Sequence, residues 1–120
     1  MRNPDYIPLL IDMLDHEYPN IRWEAAVALA RMDESSGKEI VNNLLDRSYY
    51  RDYKDKIYDG EKFITDEDKV IIVAIDVASE LKDPIFEDNL NRLASNYESN
   101  TGIRNAAKQT LKKIEEAESG

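Results

Sequence analysis

The feature that most constrains the fold of this chain is a segment that occurs twice, 82 positions apart. The segment NIRWEAAVALA begins at residue 20, and the segment GIRNAAKQTLK begins at residue 102. Their superposition pairs Ile21 with Ile103 and Arg22 with Arg104. Two periods of about 41 residues would give this offset, and periods of about 40–47 residues are typical of arrays of helix pairs. The chain is therefore expected to contain about three repeats.

Apolar residues recur at helical spacing through most of the sequence, and no alternating run predicts a strand. They predict six helices, around residues 7–14, 21–32, 40–45, 70–81, 86–97 and 103–114. Asn20, Asp83 and Thr101 are the expected N-caps of the second, fifth and sixth helices, and Pro84 suits the first helical position after Asp83. The expected fold class is all-α.

Self-similarity divides the 120 residues into three helix pairs within a single domain. Repeat 1 covers about residues 4–34, repeat 2 about residues 36–83, and repeat 3 about residues 84–118. The inner helix of repeat 2, KVIIVAIDVASEL, has Val70, Ala74 and Ala78 at the corresponding positions. Residues 47–66 interrupt repeat 2 and are predicted to be an insertion. Helix pairs cannot bury their apolar faces alone, so they are expected to stack into a continuous core.

The second predicted helix carries four alanines in six residues. Small side chains allow neighbouring helix backbones to approach closely, and alanine has the highest helix propensity. Ala25 is expected to face a neighbouring helix, whereas Ala30 is expected to lie nearer the surface. The segment VIIVAI of repeat 2 is apolar nearly all round, which is typical of a helix that is covered on both sides.

The segment YIPLLIDMLDHEYPNIRWEAAVALARMD resembles a HEAT repeat of the short kind found in the phycobilin-lyase HEAT-like group. The matching features are Pro8 early in the outer helix, an acidic turn with proline, and Ile-Arg followed by Ala-Ala-x-Ala-Leu. The match is strongest over residues 5–33, and repeat 2 departs from it because Ile71 replaces the arginine. The resemblance implies an α-solenoid of about three HEAT-like helix pairs.

Composition narrows the classes of partner. The formal net charge is −9, and 34% of the residues are charged, against about 25% in a typical protein. A negative field favours a basic partner and disfavours nucleic acid and anionic membrane. The absence of cysteine excludes disulfides and thiolate zinc sites, and it fits a reducing compartment. No apolar stretch is long enough to span a membrane, so the chain is expected to be cytoplasmic.

The sequence contains few patterns that indicate catalysis. His16, the single histidine, stands between Asp15 and Glu17. Three consecutive residues at a helix end splay apart instead of converging on one metal ion, so a surface histidine is expected. The four glycines are isolated and form no phosphate-binding loop. No enzyme activity, metal site or cofactor is predicted.

Two groups of residues are candidates for contact with a partner protein. The first is a row expected on the concave side of the inner helices, with an apolar centre and a polar edge. It comprises Trp23 and Val27 of repeat 1, Ile72 and Asp76 of repeat 2, and Asn105 and Gln109 of repeat 3. The alternative for Trp23 is packing against a chain terminus or the long insertion.

The second candidate group is the tyrosines of the insertion, namely Tyr49, Tyr50, Tyr53 and Tyr58. Tyrosine offers a large contact area with few rotatable bonds, which suits recognition. Disordered segments are poor in aromatic residues, so this insertion is expected to order itself on the solenoid or on a partner. The alternative is that its tyrosines simply cover the second repeat.

Taken together, these patterns predict a non-enzymatic protein–protein interaction module. A small acidic immunity or inhibitor protein that masks a basic partner such as a toxin fits its size and charge. The alternative, suggested by the resemblance to lyase-type repeats, is a regulatory or chaperone-like HEAT protein that acts on an enzyme subunit or a cofactor-bearing protein. The oligomeric state is left open.

Overall fold

The computed structural model describes residues 6–17, 19–54, 67–97 and 99–119 of the chain. All regular secondary structure in these ranges is helical, which confirms the predicted all-α class. The α-helices are α1 (Ile7–Met13), α2 (Pro19–Arg31), α3 (Ser35–Leu44), α4 (Arg47–Lys54), α5 (Glu67–Leu81), α6 (Glu87–Ser95) and α7 (Thr101–Ser119), and a 3-10 turn at Pro84–Phe86 leads into α6. Within these ranges, no helix has the length and apolar character that crossing a membrane requires.

Each predicted helix corresponds to an observed one, and α4 is additional. It occupies the first part of the predicted insertion, of which residues 55–66 lie outside the described residues. Two of the expected N-caps are wrong. Helix α2 already begins at Pro19, so Asn20 lies within its first turn. Helix α7 begins at Thr101, and the cap is its neighbour Asn100, whose Oδ1 accepts a hydrogen bond from the Ile103 backbone N–H at 2.9 Å.

The cap predicted at Asp83 is confirmed. Its Oδ1 accepts a hydrogen bond from the backbone N–H of Ile85 at 3.0 Å, and Pro84 occupies the first helical position. The other carboxylate oxygen, Oδ2, lies 3.1 Å from Nζ of Lys38 on α3, which also pairs with Asp33 at the end of α2. The backbone hydrogen bond from Ile85 and the ammonium of Lys38 hold the pKa of Asp83 below its ordinary value. Lys38 therefore ties the ends of α2 and α5 to α3.

Most of the described helices pack against more than one neighbour. Contacts join α1 to α2, α3 to α5, and α6 to α7, while α2 contacts α5 and α5 contacts α7. Helix α3 also packs against α2 and α4. The structure measures 44 × 38 × 18 Å along its principal axes. Because packed helix axes are about 8–10 Å apart, the short dimension accommodates two layers of helices.

The closest helix contact is that of α3 with α2. A Cβ atom added to Gly37 of α3 would lie 2.5 Å from the carbonyl oxygen of Ala26 and 2.5 Å from the amide nitrogen of Ala30. Ala26 and Ala30 are both fully buried, so the expectation that Ala30 lies nearer the surface is wrong. Small residues on both helices allow their backbones to touch. Helix α2 is consequently covered on a second side, beyond the face that carries Ala25 and Leu29.

Two connections along the chain have the same backbone geometry, 49 positions apart. After α2, Asp33 has a positive φ of 63° and Glu34 is extended. After α5, Lys82 has a positive φ of 55° and Asp83 is extended. The same shift of 49 positions aligns Ala25 of α2 with Ala74 of α5 in the predicted repeats. The turns that follow α2 and α5 therefore have the same backbone geometry.

The contact at Gly37 gives a first prediction. Gly37→Ala places a methyl group against backbone atoms of α2 that cannot move without separating the helices, so we expect a loss of about 1–3 kcal/mol in the free energy of unfolding. Chemical denaturation followed by circular dichroism measures this loss. The control is Gly102→Ala in the first turn of α7, where the nearest heavy atom is Oδ1 of Asn100 at 3.2 Å. It should change stability by less than about 1 kcal/mol. Equal losses in the two variants would contradict the close approach.

A second prediction concerns the pH dependence of the Lys38–Asp83 pair. A lowered pKa in the folded state means that this pair stabilises the fold above the ordinary pKa of 3.8 and loses its effect as the pH falls through the folded value. Asp83→Asn keeps the cap and removes the charge, so it should cost up to about 1 kcal/mol near pH 7 and nothing near pH 2. Asp83→Ala should cost about 1 kcal/mol more at both pH values, because the cap is lost. A pH-independent difference between wild type and Asp83→Asn would rule out the ion pair.

Candidate protein-binding groove

Trp23 lies in the core, with 4% of its surface exposed. The prediction that helical phase turns it away from the core is wrong, because α2 is covered on two sides. Its ring lies 6.3 Å from the ring of Tyr49 and 5.7 Å from that of Tyr50, the latter in an edge-on arrangement. Both tyrosines belong to α4. The alternative in which Trp23 packs against the long insertion is therefore the correct one.

Tyr49 and Tyr50 of α4 are mainly part of the packing. Tyr50 is fully buried, and its hydroxyl donates a hydrogen bond to the Leu44 carbonyl oxygen at 2.6 Å. Burial, together with the nearby carboxylate of Glu67, raises the pKa of Tyr50 above its ordinary value, so its hydroxyl stays protonated. Tyr49 is half-buried, and its ring lies 5.9 Å from that of Tyr50. Tyr50 therefore has no exposed surface in this structure, and its prediction as a contact residue stays a prediction.

The other two tyrosines of the predicted site, Tyr53 and Tyr58, have side chains that the structure does not describe. Tyr53 belongs to α4, but its side chain lies outside the described part of the structure. Tyr58 falls in residues 55–66, which are also outside that part. The contact predictions for both residues therefore stay predictions.

An arginine at the start of α4 holds this helix in place beneath the tryptophan. Nη1 of Arg47 lies 2.6 Å from Oε2 of Glu67, and Nη2 lies 3.0 Å from Oδ1 of Asp68, both in the first turn of α5. Its Nε also donates to Oγ of Ser99, in the loop before α7, at 3.0 Å. Burial alone would lower the pKa of the Arg47 guanidinium, but its hydrogen bonds to the two carboxylates raise that pKa above its ordinary value. Arg47 thus joins the start of α4 to the start of α5 and to the loop before α7.

A groove of about 360 Å³ opens between α2 and α5. Its floor is formed by Trp23 and Leu44, which are almost completely buried. Half-buried Val27 and Val70 form its walls, together with Val73, of which 43% is exposed. The exposed charged residues Glu24 of α2 and Lys69 of α5 complete the lining. The groove is therefore mainly apolar, with one acidic and one basic group at its edge.

The remaining residues of the predicted row are on the surface. Ile72 is 45% exposed beside Val73 on α5, and Asp76 is exposed one helical turn further on. Asn105 and Gln109 are exposed on α7. The expectation that the VIIVAI segment is covered on both sides is wrong, since two of its large apolar residues reach solvent. Of the six predicted residues, only Trp23 and Val27 line the groove.

Five lining residues were not among the predicted contacts, namely Glu24, Leu44, Lys69, Val70 and Val73. Leu44 and Val70 were assigned to the core of their helices, where they also contribute. For Val73, the sequence contains a pattern that points to this surface. It lies at i+3 from Val70 and next to Ile72, in a helix with more apolar residues than one buried stripe needs. Such an excess indicates either a fully covered helix or an exposed apolar patch, and only the neighbouring helices decide between them.

His16 and the two repeated arginines, Arg22 and Arg104, contact neighbouring segments of the chain. His16 is half-buried, and its carbonyl oxygen accepts a hydrogen bond from Nη1 of Arg22 at 2.6 Å. The guanidinium of Arg104 lies 5.2 Å from the ring centroid of Tyr97. Each arginine therefore reaches back to the segment that follows the preceding helix. Among the described residues, no group of three histidine, cysteine or acidic side chains is placed to hold a metal ion.

Comparisons with protein-family models, with curated proteins and with solved structures found no match to this chain.

The burial of Trp23 gives a third prediction. Trp23→Ala removes a large aromatic side chain from the core, so it should lower the free energy of unfolding by about 3–5 kcal/mol. The control is Tyr97→Ala, since Tyr97 is 87% exposed and contacts the guanidinium of Arg104. Its loss should stay below about 1 kcal/mol, as exposed cation–π contacts are weak. Urea titration of both variants measures these losses in the free energy of unfolding. A Trp23→Ala protein as stable as wild type would mean that the indole is not a core residue.

Proposed function

We propose that this chain is a non-enzymatic protein-interaction module, built as an α-solenoid of three HEAT-like helix pairs. In this proposal the module is cytoplasmic and masks a basic partner protein, as a small acidic immunity or inhibitor protein masks a toxin. The observation that carries the proposal is the groove between α2 and α5, which exposed Val73 helps to line, with exposed Ile72 next to Val73 on α5.

The order of the helix contacts supports the solenoid. Pairs α1/α2, α3/α5 and α6/α7 correspond to the three predicted repeats, and the second helices of these pairs contact one another in sequence. The recurring turns at Asp33 and Lys82 have the spacing of the first two repeats.

The groove supports a role in binding because it is mainly apolar, whereas charged residues make up much of this chain. Val73 lines an apolar depression and its sequence neighbour Ile72 extends the apolar surface on α5, and each side chain is more than two-fifths exposed. Clusters of exposed apolar surface on soluble proteins mark interaction sites more often than isolated residues do. The net charge of −9 adds a long-range attraction for basic proteins. Recognition would then combine charge steering with an apolar contact.

The fourth prediction tests this function by capture from the native host. We expect the immobilised chain to retain a basic protein that an unrelated helical protein of equal net charge does not retain. The association rate of the purified pair should fall at least about tenfold between about 0.1 M and 1 M salt, where the Debye length shrinks from about 10 Å to 3 Å. Stopped-flow fluorescence measures this rate.

The same pair distinguishes the two roles. An immunity or inhibitor protein should abolish the activity of its partner at equimolar concentration, whereas a regulatory or chaperone-like protein should raise that activity or its yield. Retention of the same proteins by both baits, an association rate independent of salt, or preferential binding of duplex DNA would each contradict the proposed function.

A further inference from the structure

We infer that the groove between α2 and α5 binds the apolar face of a basic amphipathic α-helix presented by the partner. This inference deepens the proposed function and rests on it. It specifies the secondary structure, the anchor spacing and the charge of the segment that enters the groove.

The size of the groove sets the number of anchoring side chains. A cavity of about 150 Å³ accommodates a benzene molecule, so about 360 Å³ accommodates roughly two large apolar side chains. On α5 the lining runs from Lys69 to Val73, and on α2 it runs from Trp23 to Val27. Each of these spans is four residues, or about 6 Å along a helix. Two anchors separated by about one helical turn therefore fit.

The lining explains why these anchors belong to a helix. An extended segment would bring its own backbone N–H and C=O groups against valine, leucine and the tryptophan ring. Buried backbone polar groups need partners, and Glu24 and Lys69 are the only charged side chains among the lining residues. A helix satisfies its backbone hydrogen bonds internally and presents side chains at i, i+3 and i+4 on one face. It can thus enter an apolar groove without leaving those groups unpaired.

The exposed residues along α5 extend the contact beyond the groove. Ile72 is 45% exposed and lies outside the lining, next to the wall residue Val73, so a third apolar residue of the partner helix, at i+7, can lie across it. Asp76 is exposed one turn further on, and Glu24 stands at the edge of the groove on α2. Basic residues on the flanks of the partner helix would approach these two carboxylates and lie away from the ammonium of Lys69 at the edge of the groove. The net charge of −9 attracts such a segment from a distance.

The fifth prediction uses a peptide of leucine and lysine as the probe. A capped peptide of about 18 residues with leucines at i, i+3, i+4 and i+7 is long enough to form a helix on binding. Trp23 is the only tryptophan of the chain and lies on the groove floor, so its fluorescence reports occupancy by this tryptophan-free peptide. We expect saturable binding with a change in Trp23 emission and a gain in helical circular dichroism.

Two variants locate the binding site. Val73→Asp puts a charge into the groove wall at a position that is 43% exposed, and Ile85→Asp puts the same charge at a position that is 41% exposed outside the lining residues. We expect Val73→Asp to weaken peptide binding at least about tenfold and Ile85→Asp to change it less than about threefold. Circular dichroism and thermal melting confirm that both variants remain folded. If Val73→Asp unfolds the chain, Val73→Ser replaces it in the comparison.

Two further peptides test the helix and the charge. One has the same composition with leucine and lysine alternating, and the other keeps the helical leucine spacing but replaces lysine with glutamate. Both should bind at least about tenfold more weakly than the first peptide. Equal binding of the alternating peptide would overturn the helix, and equal binding to Val73→Asp and wild type would overturn the groove as the site.

The outcomes also separate this inference from the proposed function. A captured basic partner whose binding is unaffected by Val73→Asp and by competition with the leucine–lysine peptide would leave the proposed function intact and overturn the inference. Absence of any basic partner would instead contradict the proposed function. The peptide measurements would still show whether the groove binds a basic amphipathic helix.

Discussion

The contact between α2 and α3 determines most of what surrounds the candidate site. Gly37 has no side chain, and Ala26 and Ala30 have only methyl groups, so two helix backbones touch. This brings the C-terminal end of α3 and the following helix α4 close to the first turns of α2. The aromatic rings of α4 then cover Trp23 instead of leaving it in solvent. A larger residue at position 37 would move both α3 and α4 away from α2.

The core and the groove share the same residues. Trp23 and Leu44 belong to the buried cluster, and they also form the groove floor. Arg47 connects α4 to the start of α5 through Glu67 and Asp68, which fixes the position of the α5 residues that form the opposite wall. A groove built in this way is preformed, because its floor is part of the packed interior. Preformed sites lose less conformational entropy on binding than sites that must be ordered first.

Polar contacts at the opposite ends of the helices maintain the spacing of the pairs. Lys38 joins Asp33 and Asp83, and exposed Arg31 of α2 pairs with Glu80 of α5 at 3.1 Å. Exposed ion pairs contribute little stability individually, so their value here is mainly in fixing the register of neighbouring helices. The apolar side chains of α2 and α5 that line the groove consequently face each other at a defined separation.

The sequence by itself determined the helical class, the positions of six helices and the cap at Asp83, because these depend on local spacing and local hydrogen bonds. It did not determine α4: Tyr49, Tyr50 and Tyr53 are spaced to share one helical face, but the charged segment RSYYRDYK contains no aliphatic residue to mark that face as buried. Nor did it determine which side of α2 reaches solvent. Helical phase identifies the residues that share a face, but the number of covered faces depends on the neighbouring helices. Trp23 and the segment VIIVAI show this in opposite senses, since Trp23 was expected outside and is buried, whereas the segment was expected to be covered on both sides and its residue Val73 is exposed. The groove exists because helices distant in sequence meet there, and only the tertiary structure decides such a meeting.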